Sequence, residues 1–99
     1  MKGDLMNTYL LFGKYSPNAL KNANATRTRK AEHLIGRFHG KVKAMYALIG
    51  KHDLLIIVDL PGIEEVVKVS TGLMELTGIT FTTVPAISVN TFDKLITEI

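Results

Sequence analysis

A chain of 99 residues has room for one domain, and its core is small, because a domain of this size hides only about two thirds of its unfolded surface. With 46% hydrophobic and 21% charged residues the composition is that of a globular fold and excludes disorder and low complexity. The absence of cysteine excludes disulfides, thiol catalysis and Cys-ligated zinc, and the formal charge of +3 comes with no zinc finger, aromatic RNA-binding motif or heptad-linked basic region, so no nucleic-acid partner is expected.

The N-terminal MKGDLMN lacks the apolar core of a signal peptide. The longest apolar run, Leu54 to Val58, is far too short for a bilayer. A cytoplasmic protein without a membrane partner is the expectation.

Asn7 to Lys14 reads as the first strand, with Tyr9 and Leu11 on one face and Leu10 and Phe12 on the other, so both faces are apolar. Ser16-Pro17 is a helix start. Asn22 and Asn24 favour local backbone bonds and keep this first helical piece short. Thr26 is the expected cap of a second piece, where Ala31, Leu34, Ile35 and Phe38 recur at i, i+3, i+4 and i+7. Gly40 is expected to supply the positive φ that ends it. Arg27, Arg29, Lys30, Arg37, Lys41 and Lys43 concentrate positive charge here, more in keeping with a solvated helix face than with a phosphate site.

Lys41 to Ile49 reads as a second strand, with Val42, Ala44, Tyr46 and Leu48 on one face and Lys43, Met45, Ala47 and Ile49 on the other. Gly50-Lys51 forms the turn to a strand over Asp53–Leu60, in which Leu54 to Val58 is an unbroken β-prone run and which Pro61 ends. A strand with one wet face alternates apolar and polar residues; this one does not, so both its faces must be covered. Gly62 to Thr77 reads as a helix with Ile63, Val66, Val67, Ser70 and Met74 along one side, widened by Val69, Leu73 and Leu76. Ile79 to Pro85 is the fourth strand, and a C-terminal helix follows over about residues 90–98 from an Asn90 cap, with Phe92, Leu95 and Ile96 apolar.

The order βαββαβ, with right-handed crossovers, places both main helices on one face of a four-stranded antiparallel sheet. The fold class is therefore α+β and ferredoxin-like, a single domain over 1–99 with its core at about residues 7–86. The bare face of such a sheet is too apolar for a monomer, which predicts a homodimer or higher even-numbered oligomer through that face.

The run HGKVKAMYALIGKHDLLIIVDLP resembles the signature of the GYD-domain family, and the resemblance covers about Tyr9 to Pro85. It implies a dimeric α/β-barrel subunit pairing through its open sheet face, with no established biochemical activity for the family as a whole. Gly50, His52 and Asp53 stand at the family's Gly-x-Tyr-Asp turn, the tyrosine replaced by histidine; His39-Gly40 stands where paired glycines are commoner; and Arg27 falls on a commonly basic position. GKHDLLIIVDLPGIEEV through LTGITFTTVPAIS is also similar to the effector-binding module of Lrp/AsnC-type regulators. No helix-turn-helix stands before it in these residues, so the expectation is a module without a DNA reader.

The ligand-binding candidates are His52, Tyr46, Tyr9, His39 and Arg27, with Gly50 and Asp53 as structural turn residues. Tyr9 and Tyr46 are expected on neighbouring strands, lining one pocket. His52 and Asp53 are adjacent and point apart, so Asp53 is read as a backbone acceptor rather than a catalytic partner. His33, His39 and His52 lack metal-motif spacing, and phosphate loops, nucleophile elbows and paired catalytic carboxylates are missing, so neither cofactor nor metal is expected. Two functions stay open: a non-catalytic oligomeric module that binds or senses a small ligand, and a cofactor-free monooxygenase or isomerase using His52 or His39 with Tyr46.

Overall fold

A computed structural model describes residues 6–99; the start of the segment read as too polar for a signal peptide, residues 1–5, lies outside the described residues. The chain runs β1 (Asn7–Tyr15), α1 (Pro17–Lys21), α2 (Ala25–Arg37), β2 (Lys41–Ala47), β3 (Leu54–Leu60), α3 (Ile63–Thr77), β4 (Ile79–Ala86) and α4 (Val89–Ile96). The strands form one antiparallel sheet in the order β2-β3-β1-β4, the ferredoxin-like arrangement expected from the element order. None of the described helices is long and apolar enough to cross a membrane.

The two central strands carry the core. Tyr9 and Leu11 of β1 and Ile56, Val58 and Leu60 of β3 are buried beneath Ala31 and Ile35 of α2 and Val66, Val69 and Leu73 of α3. Residues directly opposite in an antiparallel pair share a face, so the registers Leu10↔Ile57, Phe12↔Leu55 and Leu10↔Val84 put Leu10, Phe12, Leu55, Ile57 and Val84 together on the other face. None of the described helices packs on that face. At its rim the Thr8 hydroxyl donates to Asp59 (2.7 Å), and Lys43 lies 3.8 Å from the same carboxylate.

Four local expectations change. The cap of α2 is Asn24, not Thr26: its side-chain oxygen accepts the Arg27 amide at 2.8 Å, so the residue expected to discourage helix is the one that starts it. Strict alternation in β2 fails at a bulge between Val42 and Ala44, which leaves Val42 opposite Val58 and Met45 opposite Ile56. Both therefore face the core, while Ala44 and Tyr46 face the open side. In α3 the buried line is Val66, Val69 and Leu73, and Ile63, Val67 and Met74 point outward; apolar residues occur nearly all round this helix, so periodicity alone does not select a face. The β2–β3 connection is a loop from Leu48 to Asp53 rather than a two-residue turn, closed by the Leu48 amide on the Asp53 carbonyl (2.9 Å), with Gly50 at φ 139°.

The exit from α2 also differs from expectation. The left-handed residue is His39, at φ 67°, and Gly40 is needed for room: a β-carbon there would stand 2.6 Å from Leu60 Cδ2 and 2.7 Å from Ile35 Cγ2. This explains why a glycine pair suits the position, one for conformation and one for space. α4 begins at a Ser88 cap rather than Asn90 and buries none of its residues, Val89, Phe92, Leu95 and Ile96 included. The radius of gyration is 14.6 Å. A compact chain of this length has about 13 Å.

Asp53 joins the loop to the sheet. Its Oδ2 accepts the Tyr15 amide at 2.9 Å, its own amide donates to the Gly13 carbonyl at 2.8 Å, and Lys14 Nζ lies 3.7 Å away. Its hydrogen bonds are to backbone groups, and the amide its carboxylate accepts belongs to β1 and not to its own turn.

Urea unfolding tests both points. Gly40→Ala should lose about 1 to 3 kcal/mol through overpacking against Leu60 and Ile35, whereas His39→Gly should gain up to about 1 kcal/mol by relieving the left-handed conformation. Asp53→Ala should lose about 1 to 2 kcal/mol by orphaning the Tyr15 amide. An unchanged midpoint for Asp53→Ala would contradict the structural role.

Candidate ligand-binding site

One end of the helix–sheet sandwich gathers the last residue of β1, the first turn of α2, the start of β3, the end of α3 and the start of β4. Their side chains enclose a cavity of about 60 Å³ walled by Ala31, Met45, Leu54, Ile56, Leu73, Ile79 and Phe81, with Tyr15, Arg27, Thr28 and Thr77 as its polar members. Gly13 keeps it open from below, since a β-carbon there would meet Ile79 at 2.8 Å and Phe81 at 3.0 Å. The wall offers no carboxylate, imidazole, thiol or amine.

Arg27 is the only charged member of this wall and is partly buried. Asn24 holds its backbone at the first turn of α2, its Nη1 donates to the Ala19 carbonyl, and its guanidinium carbon lies 5.8 Å from the centre of the Tyr15 ring. Among the described residues no carboxylate pairs with it; Glu75 shares an outer cleft with Arg27 but stays beyond ion-pair range. A guanidinium has five N–H donors, so most of its bonding capacity has no protein partner here. Thr77, by contrast, is committed: its hydroxyl donates to the Leu73 carbonyl (2.7 Å) and accepts the Ile79 amide (3.1 Å).

The other candidates stand apart from Arg27 and mostly from one another. Tyr9 is buried on the helix side, where it borders a separate cleft with Ile63, Val66, Ser70 and Pro85. Tyr46 is exposed on the open side, opposite Leu55. The two tyrosines are on strands separated by β3 and on opposite faces of the sheet, so the expected shared pocket does not exist. His52 stacks on Phe12 of the open face, with ring centroids 5.1 Å apart at 38°. His39 is exposed before the first residue of β2, and His52 follows its last. A strand of that length separates the two histidines by roughly 20 Å. No three His, Asp or Glu side chains among the described residues gather at metal-binding range.

Of this site, reading the sequence finds Arg27 and misses Tyr15, Thr28, Met45, Thr77 and Phe81. The signal was available in the topology: in a βαββαβ sheet the end of the first strand, the start of the first crossover helix and the end of the second meet at one edge of the sandwich. The apolar members are indistinguishable from ordinary core by periodicity.

Comparison with known proteins agrees with this architecture. The described fold is similar to the crystal structure of the leucine response regulatory protein LrpA of Mycobacterium tuberculosis, with a TM-score of 0.57 and 8% identity over 87% of this chain and 53% of that one. It is similar in the same degree, a TM-score of 0.57, to an AsnC family transcriptional regulator from Agrobacterium tumefaciens, at 14% identity over 84% of this chain and 51% of that one. The chain thus spans about half the length of these regulators, and at such identities the likeness is one of fold. No curated protein matches the sequence. The GYD domain model matches residues 9–96, almost the whole of the described fold, and the chain therefore belongs to the GYD domain family.

Proposed function

We propose that this chain is a non-catalytic, homo-oligomeric module that binds a small ligand in the Arg27 cavity of each subunit and pairs with its copies through the open sheet face. The observation that carries the ligand reading is the guanidinium of Arg27, partly withdrawn from water at an apolar cavity without a carboxylate to neutralise it. Burying charge in that way is costly unless something of opposite sign arrives. Among the described residues the cavity wall contains no imidazole, carboxylate, amine or thiol, and Tyr15 is its one acid–base hydroxyl, which supports binding over turnover. The alternative, an enzyme that uses His52 or His39 with Tyr46, would draw on residues outside this cavity, with Tyr46 and the Phe12-stacked His52 at the open sheet face and His39 exposed before β2. The likeness in fold to halves of two regulators is compatible with a sensing role, carried out here by a module of similar shape.

Pairing through the sheet follows from the open face, where Leu10, Phe12, Leu55, Ile57, Tyr46 and Val84 make a contiguous apolar surface. Such surfaces are uncommon on monomers. His52, stacked on Phe12, lies beside that surface and would border the junction of two subunits.

Light scattering coupled to size exclusion, with native mass spectrometry, tests both halves. The protein should behave as a dimer or larger even assembly, and native spectra should show a small mass bound once per subunit. Leu55→Asp, on the open face, should yield folded monomers, whereas Ile56→Asp, one residue on and in the core, should prevent folding. A wild-type protein that is a stable monomer at micromolar concentration would overturn the pairing.

A further inference from the structure

We infer that the Arg27 cavity selects a short-chain monocarboxylate without an amino group, its carboxylate at the guanidinium and its alkyl tail directed inward. The inference rests on the reading of that cavity as the ligand site and narrows it to a chemical class. Three observations lead there: the free donors of Arg27, the character of the wall, and the size of the space.

The donors come first. With one N–H on the Ala19 carbonyl and its plane near the Tyr15 ring, the guanidinium is held at the cavity with its remaining donors unpaired by protein. Its fork geometry matches a planar carboxylate, which takes two parallel N–H bonds at once. Arg27 also borders the outer cleft formed with Ser16, Asn18, Asn22 and Glu75, so the cation stands at the mouth between solvent and interior. An anion held there keeps part of its hydration.

The wall then decides against competing anions and zwitterions. Past Arg27 the apolar lining of Ala31, Met45, Leu54, Ile56, Leu73, Ile79 and Phe81 offers nothing to the several oxygens of a phosphate; the Thr77 and Thr28 hydroxyls already donate to the Leu73 and Asn24 carbonyls, which leaves the Tyr15 hydroxyl as the one further side-chain donor among the described residues of the wall. Buried oxygens without donors are strongly unfavourable. An α-amino acid fails for the converse reason, because the wall has no carboxylate to receive its ammonium group. A second carboxylate on the ligand would have to be buried among apolar side chains or lie in the cleft beside Glu75, which disfavours diacids.

Size sets the chain length. About 60 Å³ is two water volumes at ~30 Å³ each, room for a tail of about one or two carbons and hence, with the carboxylate at the mouth, an acid of about two to three carbons. The unbranched side chain of Met45 lets the wall adapt at the upper end of that range.

The test uses the whole chain with methionine and isoleucine methyls labelled for NMR, titrated at constant ionic strength with propionate, propionamide, alanine, succinate and phosphate. Propionate should shift the Met45, Ile56 and Ile79 methyls saturably, with the other four at least about tenfold weaker. Arg27→Met should abolish the propionate response while keeping a native spectrum. Should that variant fail to fold through loss of its bond to Ala19, Ala31→Leu carries the test, because it fills the cavity while retaining Arg27 and should also block the response. Equal shifts from propionamide would overturn the carboxylate assignment, and equal shifts from alanine the exclusion of an amino group, in either case leaving the cavity a ligand site. Methyls that respond to none of the five would overturn both readings, and an undiminished propionate response in Ala31→Leu would place the binding elsewhere and overturn this one.

Discussion

The structure depends on two strands that are apolar on both faces. β1 and β3 lie side by side at the centre of the sheet, and each alternate residue that does not enter the helix-side core emerges on the far side as Leu10, Phe12, Leu55 or Ile57. Two crossover helices cover one face only, a consequence of right-handed connections in a βαββαβ chain. Burial on the helix side supplies the folding free energy of a small domain, and the uncovered side is the surface through which we propose that subunits pair. One pattern in the sequence thus underlies both the core of the subunit and the apolar face left outside it.

Around this sheet the chain uses local irregularities to aim particular side chains. The bulge in β2 turns Met45 toward the cavity while leaving Tyr46 on the open side. Gly13 and Gly40 act by absence, each leaving room that a β-carbon would take from core side chains. Asp53 fastens the β2–β3 loop to β1 at Gly13 and Tyr15, so that Tyr15 stays in place near Arg27. The family position normally held by tyrosine is here His52, whose ring packs on Phe12 across the open face rather than toward Arg27. Substitution there bears on the subunit junction in the proposed assembly and leaves the cavity lining unaltered.

Arg27 illustrates how a surface-rich helix contributes an interior group. Its neighbours Arg29 and Lys30 are exposed and fit the expected solvated face, yet Arg27, three residues past the Asn24 cap, lies where the first turn of α2 passes over the end of β1. The Ala19 carbonyl, midway along α1, accepts from its head group. The short helix α1 therefore has a use that its own burial does not explain: Ala19 is its one buried residue, and that residue's carbonyl holds the cation.

Periodicity and punctuation were enough to read the element order, the ferredoxin-like sheet and the two-faced central strands, because these depend on alternation, on Pro and Gly, and on connection rules that act locally. Arg27 was legible as a candidate through the family resemblance, but its partners were not. Whether Tyr9 and Tyr46 share a pocket depends on strand order and on a bulge that composition does not mark. The buried line of α3 depends on which of several apolar stripes meets the sheet, and the left-handed residue after α2 depends on whether His39 or Gly40 must clear Leu60 and Ile35. Those decisions belong to the tertiary structure, since each is settled by contact between segments far apart in the chain, where many local choices are nearly equal in energy and packing selects one.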